Sequence, residues 1–426
     1  MIERLFHCRA RGSAWSVEVL AGVSTFLALS YIFVVNPSIL GDAGFPRQAV
    51  FFATVIASAL ATLTMGLWTN LPFVLAPGME INMYVATYVV TAGRLTWQEA
   101  LGAVFWSGIL FLLFTLSGVR EGIINALPAG LRSDLAAAVG VLLVAVALKI
   151  AGVLVYDGPD LRGFGVMDRS VLVLAGSAIV VFALAALGVR AAVLISIAAG
   201  TLIAMMLGVD PRLPAASATD GLFAAIGAAD LSVLLRPNGW TIVLVLFLID
   251  FYGSVAKFVG LLRNTELLQD GKLPRLREAL LIDGAAAAGG SMLGTTSVLV
   301  YAESGVGIAA GGRTGLTAVT AGTAMLLCLA AAPLLAHVPT VATTGALLYV
   351  AFRLLPRPAE LRKRDGWELV ALAGMGAIVV ATSALHFAIL FGLSLHLARD
   401  IFRGVRLNAY AIGSIALLLF GWAVSG

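Results

Sequence analysis

Apolar residues recur along almost the whole chain in runs of about 20, separated by short stretches rich in charged residues, Gly and Pro. A helix of about 20 apolar residues crosses a hydrocarbon core about 30 Å thick. Strands of an outer-membrane barrel are instead about ten residues long and alternate in polarity. The pattern therefore predicts an all-α polytopic membrane protein.

The apolar runs divide into fourteen predicted spans. The last two are almost continuous over 367–398 and form either two spans or one long tilted helix. A further apolar stretch, 407–425, either crosses the membrane or lies along its surface. The predicted spans lie near residues 17–40, 48–69, 72–92, 98–117, 131–153, 170–187, 190–208, 240–262, 276–293, 296–311, 313–335, 340–355, 367–384 and 385–398.

The composition agrees with this class, since 60% of the 426 residues are apolar and 12% are charged. Soluble domains are about half apolar and about a quarter charged. Basic residues are concentrated in alternate loops and in the N-terminal segment, which predicts a cytoplasmic N-terminus in the cell inner membrane. These loops account for the net charge of +4, so nucleic acid is not a predicted partner. The chain has two cysteines, Cys8 and Cys328, which is too few for a disulfide framework or a cysteine metal site. Both are predicted to be inert thiols.

Two predicted spans are interrupted by Gly or Pro beside an intramembrane glutamate. The third reads LPFVLAPGMEINMYVATYVV (71–90) and the tenth reads GTTSVLVYAESGVGIAAGG (294–312). Their glutamates, Glu80 and Glu303, are 223 positions apart, as are the starts of the first and eighth spans. A repeat of seven spans would invert the second half, and in transporters of that plan the broken helices mark the substrate site.

A charge at a helix centre costs about 2.5–3.5 kcal/mol, so each intramembrane ionisable residue requires an explanation. A buried Glu303 is suited to hydrogen-bond a substrate N–H and to carry a proton. Asp250 and Lys257 are seven residues apart on one helical face and either pair through a neighbour or line one cavity. The full set of candidates is Glu80, Asp250, Lys257, Asp283, Glu303 and His386.

Structural explanations remain open for the same residues. Glu80, Asp250 and Asp283 are equally suited to brace a broken helix, and Lys257 to extend its ammonium to the cytoplasmic interface. His386 is isolated on an apolar face, where packing is the simpler explanation. The sequence contains no phosphate-binding loop and no nucleophile beside a base, so neither an enzyme nor a cofactor is predicted.

Four segments resemble the adenine/guanine/hypoxanthine permease branch of the nucleobase-cation symporters, within the xanthine/uracil permease superfamily. The segments are SVEVLAGVSTFLALSYIFVVNPSIL (16–40), VLAPGMEINMY (74–84), SGVREGIINALPAGLRSDLAAAVGVLLVAVALKIAG (117–152) and GTTSVLVYAESGVGIAAGGRTGLTAV (294–319). The resemblance extends over nearly the whole chain, and the tenth-span motif is its most specific part.

The resemblance implies fourteen helices as a seven-plus-seven inverted repeat, with short strands at the breaks of spans three and ten. Spans 1–4 and 8–11 would form a core domain, spans 5–7 and 12–14 a gate domain, and two copies a homodimer. The implied division is a cytoplasmic segment 1–16, core 17–130, gate 131–208, extracytoplasmic loop 209–239, core 240–335, gate 336–398, and a basic loop with a C-terminal apolar segment 399–426.

The family's key polar residues are an Asn in span three, an Asp in span eight and a Glu in span ten. They match Asn82, Asp250 and Glu303. In span eight the family pattern is Asp-x-Phe-Asp-Thr-x-Gly-Thr. This chain has Gly253 in place of the second acid and Lys257 in place of the last Thr, and in span three Glu80 replaces a small residue.

The predicted function is proton-coupled uptake of a purine nucleobase, with Glu303 and Asp250 as the proton-coupling residues. Three alternatives remain open: a same-fold transporter of an anionic substrate, suggested by Lys257 and Gly253, an intramembrane enzyme acting on lipids, and a channel. The predicted substrate-binding residues are Asn82, Asp250, Glu303, Glu80, Phe251, Tyr252, Lys257 and Ser304.

Overall fold

The computed structural model describes residues 2–118, 129–157, 160–189, 192–209, 221–262, 267, 273–331, 338–382 and 385–404. These residues form a mostly helical structure. The apolar stretch 407–425 and the side chain of His386 lie outside the described part, so both predictions stay as stated.

The first predicted span, 17–40, corresponds to two helices, α2 and α3. The backbone is interrupted at Ser30 and Tyr31, between α2 and α3, so that the hydroxyl-bearing Tyr31 lies at the break. The elements are α1 (Ile2–Phe6), α2 (Trp15–Leu29), α3 (Ile32–Asp42), α4 (Arg47–Thr64), β1 (Leu75–Pro77), α5 (Met79–Met83), α6 (Trp97–Leu116), α7 (Ala129–Ile150), β2 (Leu154–Asp157), β3 (Asp160–Phe164), α8 (Arg169–Ala186) and α9 (Ala192–Met206).

Two of these helices continue as π-helix, α4 through Met65–Thr69 and α5 through Tyr84–Thr91. The hairpin of β2 and β3 was not predicted, because its strands are short and carry the charges expected of a loop. The second half contains α10 (Gly239–Leu262), α11 (Leu276–Leu293), β4 (Val298–Val300), α12 (Ser304–Ala309), α13 (Gly315–Leu327), α14 (Thr344–Leu354), α15 (Pro358–Leu361), α16 (Gly366–Thr382) and α17 (Leu385–Phe402).

Strands β1 and β4 pair antiparallel, with Ala76 opposite Leu299 at the centre. The strands begin at Leu75 and Val298, 223 positions apart, which is the spacing of Glu80 and Glu303. The flanking hydrogen bonds repeat this relation: Gly78 N donates to Ser297 O and Tyr301 N donates to Val74 O, both at 2.9 Å. The strand pair therefore has a local two-fold arrangement that relates the two interrupted spans.

The helices pack in two groups. One contains α2 to α6 together with α10 to α13, and within it α6 packs on α11 and α10 while α13 packs on α2 and α4. The other contains α7, α8, α9, α14, α16 and α17, with α14 against α7 and α8. The division corresponds in sequence to the predicted core and gate, whose separate roles remain a prediction.

Five described helical segments are long and apolar enough to cross a membrane, namely Trp15–Asp42, Arg47–Thr69, Trp97–Leu116, Ser133–Ile150 and Arg169–Ala186. Four shorter apolar helices accompany them. Large apolar side chains on α8 and α9, such as Ile179 and Met206, point outward. Such exposed apolar faces suit contact with lipid.

Candidate substrate cavity

A cavity of about 830 Å³ lies between the two helix groups. Its walls come from α2, α5, α10 and α12 on one side and from α7, α9 and α14 on the other. The polar and charged side chains of its wall include Tyr31, Glu80, Lys257, Tyr301, Glu303, Arg313 and Arg353. Among the predicted site residues, Glu80, Tyr252, Lys257 and Glu303 therefore reach one cavity.

Glu80 and Lys257 form an ion pair in this wall. The Lys257 Nζ lies 2.6 Å from Oε1 of Glu80. The lysine side chain is 14% exposed and that of the glutamate is 2% exposed, so the lysine is the member that faces the cavity. Its Nζ also lies 5.2 Å from the ring centroid of Tyr301, within the range of a cation–π contact.

Gly253 provides the space that this pair requires. It lies one turn before Lys257 on α10 and also lines the cavity. A Cβ added at this position would lie 2.7 Å from Oε1 of Glu80. The carboxylate of Glu80 thus lies in the space that a side chain at position 253 would occupy.

Glu303 has a different environment. It precedes α12 as its N-cap residue, and its Oε1 accepts a hydrogen bond from the Tyr31 hydroxyl at 3.0 Å. Within the described part of the chain, no basic side chain lies within ion-pair distance of this carboxylate. The Tyr301 hydroxyl donates to Pro77 O at 2.8 Å and so connects the two interrupted spans beneath the cavity.

Four of the predicted substrate-binding residues lie outside the wall of this cavity, and their role stays a prediction. Asn82 accepts a hydrogen bond from Thr296. Asp250 is covered by Ser107, whose hydroxyl lies 3.3 Å from its Oδ2. The four residues, all buried, are Asn82, Asp250, Phe251 and Ser304.

Ser304 and Phe251 also have contacts within the protein. Ser304 Oγ accepts from Val74 N at 3.0 Å and so holds the chain that enters β1. Phe251 packs among the rings of Phe111, Phe114 and Phe247 on the far side of α10. Helix α10 turns Phe251 away from the face that carries Gly253 and Lys257.

Asp283 braces the second interrupted span. Its Oδ2 accepts from Ser254 Oγ at 2.5 Å and its Oδ1 accepts from Val300 N at 2.7 Å. These contacts support a structural role for Asp283, as a brace of the backbone, over a role in substrate binding. Within the described ranges, no three His, Cys, Asp or Glu side chains come together as a metal site would require.

Two tyrosines of the cavity, Tyr31 and Tyr301, were not among the predicted site residues. Their positions could have indicated them, since Tyr31 precedes the NPSIL motif and Tyr301 lies two residues before Glu303. A buried charge network in the second helix group was not predicted either. There Asp134 pairs with Arg364 and with His396 Nε2 at 2.9 Å.

Comparison with known proteins gives the class of the molecule. The sequence profile of the xanthine/uracil permease family, described as a permease family, matches residues 16–355. The chain belongs to this permease family. It is therefore a multi-pass membrane permease for a small molecule and not an enzyme.

Two relatives show the range within the family. The adenine permease AdeP of Escherichia coli (strain K12) is 36% identical over 372 residues, covering 87% of this permease and 84% of the relative. The guanine/hypoxanthine permease PbuO of Bacillus subtilis (strain 168) is 32% identical over 406 residues, covering 92% of each chain. The permease is therefore about equally identical in sequence to a relative named for adenine and to one named for guanine and hypoxanthine.

Among solved structures, the permease resembles the transmembrane domain of a cyanobacterial bicarbonate transporter, BicA. The TM-score is 0.66 at 15% identity, over 88% of this chain and 97% of that one. At such identity the likeness shows the fold alone, which is that of a membrane transporter.

Proposed function

We propose that this permease is a secondary active transporter that carries a purine nucleobase into the cell together with a proton. Family membership and the relatives named for adenine and for guanine/hypoxanthine support the substrate class. The observation that carries the proposal is Glu303, a partly buried carboxylate with no basic side chain within ion-pair distance in the described residues, in a cavity between two helix groups. The cavity volume is in the range of small-molecule sites, about 300–1,000 Å³.

The cavity offers the groups that a neutral heterocycle needs. Glu303 accepts from a ring or exocyclic N–H when ionised and donates to a ring nitrogen or carbonyl when protonated. Lys257 donates to an acceptor atom, and Tyr252 and Tyr301 contribute ring faces. A flat base with both donors and acceptors on its edge matches this set.

Coupling follows from linkage. If a protonated Glu303 binds the base more tightly, the bound base favours the proton by the same factor, and the two then move together. Tyr31 is placed to respond, because its hydroxyl donates to the ionised carboxylate. We assign proton coupling to Glu303 and not to Asp250, which is covered by Ser107 and lies outside the cavity wall.

We extend the proposal to the architecture. The two-fold hydrogen bonding of β1 and β4, with its 223-residue relation, supports an inverted repeat of seven spans each. Access would alternate as the first helix group moves against the second with the cavity between them. A cytoplasmic N-terminus and a homodimer remain part of this proposal.

The Glu80–Lys257 ion pair weighs against one argument for the anionic alternative. It was suggested by Lys257 and Gly253, yet the lysine charge is balanced by Glu80, which fills the space beside Gly253. Arg313 and Arg353 also line the cavity, and the transport assay therefore includes anions beside the three bases.

The test is transport by the purified permease in liposomes. We expect radiolabelled hypoxanthine, adenine or guanine to accumulate when a proton gradient is directed inward, and a protonophore to abolish the accumulation. Glu303→Gln should lose accumulation but retain base exchange in the absence of a gradient, because glutamine keeps hydrogen-bonding capacity without a titratable proton. Glu278→Gln, at the first turn of α11 and outside the cavity, is the matched control.

Two results would contradict the proposal. The first is a wild-type protein that transports none of the three bases while transporting an anion such as bicarbonate or urate. The second is base accumulation that does not respond to the proton gradient or to Glu303→Gln.

A further inference from the structure

We propose that Lys257 is a fixed counter-cation that keeps Glu80 ionised, so that Glu303 alone takes up a proton in the cavity and one proton crosses with each base. This inference rests on the proposed proton-coupled transport. It assigns to the Glu80–Lys257 pair a role in the stoichiometry of coupling.

The first step is the chemistry of a buried carboxylate. A carboxylate removed from water without a partner neutralises itself by taking up a proton, whereas one held against an ammonium remains charged. Glu80 is 2% exposed and lies 2.6 Å from Lys257 Nζ, so its charge is balanced within the protein. The ring of Tyr301 faces the same ammonium and gives it a second favourable contact.

The second step is that the pair is built into the packing. The carboxylate lies 2.7 Å from where a Cβ at position 253 would be, so the absence of a side chain there admits it against α10. Glu80 is anchored on α5 directly after β1, and Lys257 is anchored within α10. Both ends of the pair thus belong to the first helix group.

The third step is the contrast with the other acids near Glu80. Asp250 on α10 interacts electrostatically with Glu80 but lies outside the cavity wall, covered by Ser107. Tyr301 faces Glu80 from the end of β4. Glu303 shares the cavity and accepts a hydrogen bond from the neutral hydroxyl of Tyr31, while Lys257 and Arg353 act on it electrostatically without forming an ion pair. Among the residues that the structure describes, Glu80 is the one of the two cavity glutamates that has a cation within ion-pair distance.

These steps predict how the number of coupled protons changes with charge. In the wild type, Glu303 exchanges one proton. In Lys257→Met, Glu80 loses its counter-charge and becomes a second carboxylate that binds and releases a proton in the cavity. In the double variant Glu80→Gln/Lys257→Met both charges are removed, and the number returns to one.

The stoichiometry is measured in liposomes, with hypoxanthine on both sides and the membrane potential clamped at zero. The pH gradient that stops net base flux is found for a tenfold gradient of hypoxanthine. One proton per neutral base requires about one pH unit, and two protons require about half a unit. We expect about one unit for the wild type and the double variant, and about half a unit for Lys257→Met.

Lys149→Met is the matched control, because the Lys149 ammonium also faces a tyrosine ring, 5.5 Å from the centroid of Tyr156, at the far end of α7. It should leave the balancing gradient unchanged. Equal balancing gradients for the wild type and Lys257→Met would overturn the inference.

A second measurement tests the protonation of Glu80 directly and does not depend on transport. Infrared spectra of the purified proteins at neutral pH should show an additional protonated-carboxyl band in Lys257→Met, absent from the wild type and from the double variant. Absence of that band would overturn the role of Lys257. A wild type whose base flux ignores the pH gradient would overturn the proposed function and the stoichiometry together, and the infrared result would still decide whether Lys257 keeps Glu80 ionised.

Discussion

Glu80 and Glu303 occupy matching places in the two interrupted spans. Each lies three residues after a three-residue strand, the two strands pair with each other, and both glutamates line one cavity. Their partners differ, because Glu80 is held by the ammonium of Lys257 and Glu303 by the hydroxyl of Tyr31. Equivalent positions in a repeat can therefore carry different chemistry, which the neighbouring helix decides.

The difference is one of charge compensation. An ammonium neutralises a carboxylate, whereas a hydroxyl only donates one hydrogen bond to it. Glu80 in the first of these segments thus forms an ion pair, whereas Glu303 in the second accepts a hydrogen bond from a neutral hydroxyl. Three substitutions test this contrast through the stability of the protein, from the largest expected effect to the smallest.

Lys257→Met should have the largest effect. Removing one member of a buried ion pair leaves the other without a partner, so that it must take up a proton or stay charged, and this typically costs about 3 kcal/mol or more. We expect a loss of about 3 kcal/mol in the free energy of unfolding, measured by denaturant titration in detergent micelles. The double variant Glu80→Gln/Lys257→Met should lose less than about 1 kcal/mol, since replacing the whole pair is often nearly neutral. Equal losses in both variants would show that the lysine stabilises by packing and not by its charge.

Gly253→Ala should have an intermediate effect. The new methyl group would lie 2.7 Å from Oε1 of Glu80 and would displace the carboxylate from Lys257. Overpacking of this kind costs about 1–3 kcal/mol, and we expect about 2 kcal/mol in the same titration. On a Glu80→Ala background the same substitution should cost little, because no carboxylate remains to be displaced. If Gly253→Ala also lost about 2 kcal/mol on the Glu80→Ala background, the new methyl group would clash with a group other than the Glu80 carboxylate.

Tyr31→Phe should have the smallest effect. It removes the donor to Oε1 of Glu303 while keeping the ring, and loss of one hydrogen bond costs about 1 kcal/mol. Tyr349→Phe, whose hydroxyl accepts from the exposed Arg353 at 3.3 Å, is the control and should cost less than about 0.5 kcal/mol. A Tyr31→Phe protein as stable as the control would mean that the Tyr31 hydroxyl contributes nothing to holding Glu303.

Sequence reasoning located the interrupted spans because Gly, Pro and an intramembrane acid are conspicuous within apolar runs. It selected Glu80, Lys257 and Glu303 for the same reason, and the structure brings all three to the cavity. It did not separate them from Asn82 and Ser304, which have equally polar side chains but satisfy backbone or neighbouring groups within the protein. Polarity in an apolar run shows that a partner is needed, but not which partner.

The buried network of the second helix group was missed for a related reason. Asp134 lies near the end of a span, where a charge is ordinarily assigned to the membrane surface. Its partners Arg364 and His396 are 230 and 262 positions away. No local pattern connects residues so far apart in the chain.

The sequence by itself determined the membrane class, the positions of most helices, and the two Gly- or Pro-containing segments that each carry a glutamate. These features depend on hydrophobicity and on the conformational limits of Gly and Pro, which are local properties. The tertiary structure alone decided which polar side chains face the cavity and which acid has a cation, because helix rotation and long-range packing set those contacts. Lys257 therefore looked like an anion site in the sequence, and the fold shows its charge balanced by Glu80.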